Sequence, residues 1–126
     1  DPEDGQLRFN LAGFYSAEGN TEAALEQYRK AVMRIPKFAQ AHLGLANSAL
    51  LLGKTQEAIN AYERVVELAP NLPEPYLALG RLYTEQGETV RAIDAYHHFL
   101  DRWEGDSELA TVVRRKLRIL AEVVER

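Results

Sequence analysis

His97 and His98, with Asp94 and Asp101 about one helical turn to either side, are the residues whose types come closest to a chemical site. Imidazole and carboxylate together are ligands for a divalent metal. Neighbouring residues on a helix point about 100° apart, however, so the two imidazoles do not converge on one ion. Local Asp–His pairing is the expected use of these side chains, and no metal site is expected. The chain has no cysteine, which removes disulfides, thiolate zinc sites and a thiol nucleophile. It holds no G-x-S-x-G, no H-E-x-x-H and no phosphate-cradling glycine loop. Carboxylates are numerous, but their spacing marks none as a buried acid–base pair. Neither an enzyme nor a cofactor is expected.

Composition narrows the classes further. With 126 residues, 46% of them apolar, the chain has the size of one domain with a substantial core. A formal charge of -4 and a pI near 5.4 argue against nucleic acid as a partner, since nonspecific phosphate binding needs many clustered cations. No run of 18 apolar residues is present, so no membrane insertion is expected. The start, Asp1-Pro2-Glu3-Asp4, is acidic where a signal peptide is basic and then apolar. The only methionine is Met33, which reads as a piece excised or processed from a longer protein. The compartment is left open by this composition.

The elements that position these residues come from an internal repeat. The same residue types recur every 34 positions: Gly19, Gly53 and Gly87; Thr21, Thr55 and Thr89; Ala24, Ala58 and Ala92; Tyr28, Tyr62 and Tyr96; Leu11, Leu45 and Leu79. Pro36 and Pro70 keep the step, and Tyr15 and Tyr83 lie two steps apart. Each unit reads as two helices. In the first, Leu7, Leu11, Phe14 and Tyr15 make an apolar stripe at helical period over residues 6–18. Gly19 ends that helix, because glycine reaches the left-handed conformation without a Cβ clash. Thr21, Thr55 and Thr89 follow the turn, where a hydroxyl is expected to cap the second helix. That helix buries Leu25, Tyr28 and Val32 until Pro36 stops it. Small residues at Ala12, Ala46 and Gly80, and at Ala24, Ala58 and Ala92, let paired helices approach closely.

This order of small, aromatic, glycine, alanine and proline positions over residues 5 to 106 resembles the tetratricopeptide repeat family. The resemblance implies an all-α fold: a right-handed α-solenoid of antiparallel helix pairs, seven helices in all. The repeats fall at 5–38, 39–72 and 73–106, with a C-terminal capping helix at 107–126. Several positions depart from the family pattern. Arg8 and His42 stand where a large apolar residue is favoured, Ala49 replaces a tyrosine, and Glu104 replaces the third proline. His42 is expected to be a partly buried structural histidine.

In the closing segment Leu109, Val112, Val113, Leu117, Leu120 and Val124 continue a helical stripe, and Ile119 and Val123 widen it to about half the helix circumference. Two readings stay open: a fully buried cap, or a face that also meets a second copy or a continuing solenoid. Arg114, Arg115, Lys116 and Arg118 form a basic cluster, expected to be a solvated face.

The resemblance also implies a protein or peptide partner, held in a concave groove lined by the first helix of each pair. By position, the groove residues are Gln6, Phe9, Asn10, Leu43, Asn47, Leu50, Leu77, Arg81 and Thr84, with Gly13, Gln40, Gly44, Glu74 and Ala78 between them. A ladder of apolar side chains with amide neighbours suits a peptide with hydrophobic anchors. Some of these side chains can instead pack between repeats. Members that clamp the C-terminal carboxylate of heat-shock chaperones use Lys, Asn and Arg at positions that here hold Phe9, Gly13, Gly44, Glu74 and Ala78, so no such clamp is expected. The alternative function is a self-assembling or solenoid-extending segment that works through the C-terminal helix.

Overall fold

The computed structural model describes residues 2–126, and among them all regular structure is helical. The seven helices are α1 (Pro2–Ala17), α2 (Thr21–Arg34), α3 (Ala39–Leu51), α4 (Thr55–Leu68), α5 (Pro73–Glu85), α6 (Thr89–Arg102) and α7 (Ser107–Glu125). They form two compact units, Asp1–Pro70 and Asn71–Arg126. The first contains α1 to α4, paired as α1 with α2 and α3 with α4, and α2 also packs on α3. In the second, α6 packs on both α5 and α7.

Three turns share one geometry because three glycines supply it. Gly19, Gly53 and Gly87 have φ of 78°, 74° and 75°, where a Cβ is strained. Each is followed by a backbone bond that reaches back five residues: Asn20 to Tyr15, Lys54 to Ala49 and Glu88 to Tyr83, all N–H to carbonyl at 2.9 Å. With the glycine N–H on Ser16, Leu50 and Thr84, this is the Schellman closure that satisfies otherwise orphaned carbonyls.

The threonines after these turns do not cap. Thr21, Thr55 and Thr89 are the first residues of α2, α4 and α6, one place too late for the hydroxyl to accept from the helix's first N–H groups. Asn20 does that work in α2, its side chain accepting from the N–H of Ala23 at 3.3 Å. Lys54 and Glu88, at the same place in the other two, give no side-chain cap. In α7, Asp106 accepts from Glu108 N–H at 2.9 Å.

The expected stripe of α1 is half right. Leu11 and Tyr15 are half-buried, but Leu7 and Phe14 are 62% and 60% exposed. The inward face is set by close approach at Gly5 and Ala12, both buried, and a Cβ at Gly5 would lie 2.5 Å from Ile35. Phe14 is two residues on from Ala12 and so projects about 200° away round the helix. In α2 the expected face is the observed one: Leu25 and Tyr28 are buried and Val32 half-buried.

Two of the departures from the family pattern have polar neighbours, although the buried Arg8 Nε makes no hydrogen bond. Arg8 is half-buried, donates to Gln27 Oε1 at 3.3 Å and lies 3.4 Å from Asp4, which also takes Arg34 at 2.7 Å. His42 is half-buried, and its Nε2 donates to the Pro36 carbonyl at 2.8 Å. Another departure, Glu104, follows Trp103, whose ring stacks on Phe99 at 5.1 Å and whose Nε1 donates to the Asp106 carbonyl at 2.9 Å. A Cβ at Gly105 would overlap that indole, so the glycine makes room for the tryptophan to fold over the α6–α7 turn.

Arg29 on α2 grips Glu57 on α4 with two bonds of 2.8 and 2.7 Å. The Arg29 hydrogen bonds hold the Glu57 carboxyl below its ordinary range. A folded-state pKa below the unfolded one means the pair stabilises in full above the ordinary glutamate pKa, and that contribution fades as pH falls through the folded value. Both groups are partly exposed, so the contribution is modest. Glu57→Gln is expected to cost about 0.5 kcal/mol at neutral pH, and nothing once the parent's carboxyl is itself protonated in acid. Urea titrations at the two pH values check this; an equal cost at both would remove the ion pair as its cause.

Candidate functional site

In the first unit, the groove positions on α1 and α3 belong to helices that touch each other. Gln6 and Asn10 are exposed, and the Gln6 amide donates to Asn10 Oδ1 at 3.0 Å. Phe9 is half-buried, with ring centroids 4.7 Å from Phe38 and 6.0 Å from Tyr28. Its aromatic surface is therefore largely spent on packing between the first two helix pairs. Gly44 is similarly committed, since a Cβ there would run into the Tyr28 ring.

The α3 face is freer. Leu43, Asn47 and Leu50 follow one another at steps of four and three, which puts them on one face. Leu43 is half-buried, Asn47 exposed and Leu50 41% exposed. The Tyr62 hydroxyl donates to Asn47 Oδ1. Burial raises the Tyr62 pKa, which keeps that hydroxyl protonated and a donor. Asn47 is exposed, and its amide N–H groups have no hydrogen-bond partner among the described residues.

In the second unit Leu77 is half-buried, while Arg81 and Thr84 are exposed. The last two line a cleft of about 320 Å³ between α5 and α7, together with Glu85, Tyr96, Lys116, Ile119 and Leu120. Thr84 is partly committed: its hydroxyl donates to the Gly80 carbonyl at 2.7 Å and is hydrogen-bonded to that of Tyr96, whose pKa is raised by burial.

Leu77 does not line this cleft, and five of its seven residues were not expected. The signal for two of them, Ile119 and Leu120, lay in the broad apolar arc of α7. Ala110, Val113, Leu117 and Leu120 are its buried part. Val112, Ile119 and Val123 form a second stripe at steps of seven and four and remain exposed, Ile119 at 57%. The apolar arc of the helix is thus only partly buried.

The two histidines are differently placed. His97 is exposed. His98 stacks on Tyr76 at 5.0 Å, and its Nδ1 accepts from Arg102 Nη1 at 3.0 Å, because a guanidinium can only donate. Its Nε2 lies 3.6 Å from Asp94. Nδ1 of His98 is therefore bonded, while Nε2 faces Asp94 beyond hydrogen-bond reach. Among the described residues no three His, Asp or Glu side chains come together in a way that could hold a metal, and no helix is long and apolar enough to cross a membrane.

Comparison with known proteins bears on the fold. The first TPR of Spaghetti (RPAP3), solved bound to an HSP90 peptide, superposes with a TM-score of 0.79 at 17% identity, covering 100% of this chain and 97% of that one. The Yersinia enterocolitica type III secretion chaperone SycD, solved with a peptide of the translocator YopD, gives 0.79 at 17% identity over 96% and 94%. MamA gives 0.78 at 24% identity over 99% and 72%. The fold is that of these helical solenoids. Comparison with curated protein sequences returned no match. Family profiles described as tetratricopeptide repeat match residues 5–38 and 76–108, and one described as TPR repeat matches 47–87. With that repeat matched along most of its length and its glycine turns formed three times over, the chain belongs to the tetratricopeptide-repeat family.

Proposed function

We propose that this chain is a protein-interaction module, without catalytic activity of its own, that holds a peptide segment or helix of a partner against the first helices of its repeats. The repeats are framed as 5–38, 39–72 and 73–106, closed by 107–126. The observation that carries the reading is the α3 face: two partly accessible leucines flank the exposed Asn47, whose carbonyl accepts from Tyr62 and whose amide N–H groups have no partner among the described residues. Such a face rewards an apolar anchor and satisfies a backbone carbonyl beside it, which is how peptide grooves combine affinity with register. The solved structures of the Spaghetti repeat and of SycD, each with a peptide, support the reading by likeness of fold.

The module is not a chaperone-tail clamp on this reading. Phe9 is packed on Phe38, Gly44 lies against Tyr28, Gly13 and Ala78 offer no donor, and Glu74 would repel the carboxylate that such clamps attract.

The test is capture of partners from an extract by the intact chain, compared with Leu43→Glu and Leu50→Glu. Each variant is expected to lose the partner while its helical circular dichroism is unchanged. Capture that survives both substitutions would overturn the reading.

A further inference from the structure

The cleft between α5 and α7 differs from the α3 face in what surrounds its apolar floor. Tyr96 and Leu120 are buried at its base, and Ile119 forms a wall with more than half its surface in solvent. Val112 and Val123 extend that wall along α7. A volume of about 320 Å³ is at the low end for ligand pockets and suits a single bulky side chain.

Two cations line the same cleft, Arg81 from α5 and Lys116 from α7. Neither has an ion-pair partner among the described residues. Lys116 is half-buried, and no carboxylate among the described residues pairs with it. Arg114, Arg115 and Arg118, exposed and likewise without ion pairs among the described residues, extend the positive field along α7. Glu85 is the single carboxylate among the lining residues, and it repels acid from its own part of the rim.

We propose that this cleft receives a segment of a protein partner in which one large aliphatic or aromatic side chain is flanked by carboxylates. The apolar group fills the space above Tyr96 and Leu120, and the acids pair with Arg81 and Lys116. A neutral or basic segment would dry the two cations without pairing them, which disfavours it. The proposal rests on the interaction-module reading and assigns a ligand class to it.

A displayed library of random nonapeptides, selected on the intact chain, provides the probe. Enriched sequences are expected to carry a large aliphatic or aromatic residue with Asp or Glu within two positions. As labelled synthetic peptides they should bind about tenfold more weakly to Ile119→Glu and to the double variant Arg81→Gln/Lys116→Gln, and more weakly as salt rises. The substituted residues apart from Lys116 are exposed, and circular dichroism checks each fold; Ile119→Ser replaces Ile119→Glu if the latter unfolds. Enrichment of neutral or basic sequences, or undiminished binding to the variants, overturns the proposal. Peptides lost on Leu43→Glu but indifferent to Ile119→Glu overturn this cleft and leave the interaction module standing. Light scattering that reveals a dimer dissolved by Ile119→Glu would assign the wall to a second copy, and would also overturn it.

Discussion

Phe99→Ala is expected to lower the stability of the Asn71–Arg126 unit by about 3 to 5 kcal/mol, the usual cost of emptying a buried aromatic site. Phe99 is completely buried on α6, the helix on which both α5 and α7 pack. Its ring also stacks on Trp103, which is tied to the Asp106 carbonyl across the α6–α7 turn. Removing the ring therefore withdraws support from the turn that delivers α7. Against a total stability of roughly 5 to 15 kcal/mol this is a large fraction. At a slope of about 2 kcal/mol per molar urea, the midpoint should fall by about 1.5 to 2.5 M. Trp103 is the chain's one tryptophan, so its emission reads this unit selectively. A cost below about 1 kcal/mol would mean the neighbouring helices collapse into the space, and that Phe99 does not hold them apart.

The same residues show what the sequence could and could not say. The 34-residue step exposed the helix pairs and their glycine turns because left-handed backbone demands glycine whatever the surroundings. The inward face of α2 was also legible, since Leu25 and Tyr28 follow helical period toward a wide core. That of α1 was not. There the buried edge consists of Gly5 and Ala12, which a hydrophobicity pattern passes over in favour of Leu7 and Phe14. Trp103 and Gly105 form a local pair that no repeat position announces. The cleft escaped for a related reason: its lining comes from three helices, and only packing reveals which flank of the α7 arc stays open. Carry-over from the family placed Leu43, Asn47 and Leu50 on a face that is partly accessible, but it could not foresee that Phe9 would be absorbed by Phe38.

A single methyl group should have opposite effects at two helical glycines. Gly13 lies in α1 with nothing within 4 Å of the point a Cβ would occupy, so Gly13→Ala gains helix propensity alone and should stabilise by about 1 kcal/mol or less. At Gly80 the same propensity gain meets the Tyr96 ring, whose Cε1, Cδ1 and Cζ would stand 2.5, 2.7 and 2.8 Å from the new carbon. That ring has little freedom to retreat, being almost wholly buried with its hydroxyl bonded to Thr84. Overpacking of this kind costs about 1 to 3 kcal/mol, so Gly80→Ala should be destabilising by up to about 2 kcal/mol after a propensity gain of about 1 kcal/mol is subtracted. Urea denaturation of the two variants beside the parent decides it. Stabilisation by both would show that the aromatic ring yields. Because Tyr96 also floors the cleft, a ring pushed toward α7 would shrink the space offered to a ligand side chain. Gly80→Ala should then weaken the selected peptides while Gly13→Ala leaves their affinity unchanged, which ties the packing of one glycine to the recognition proposed for this unit.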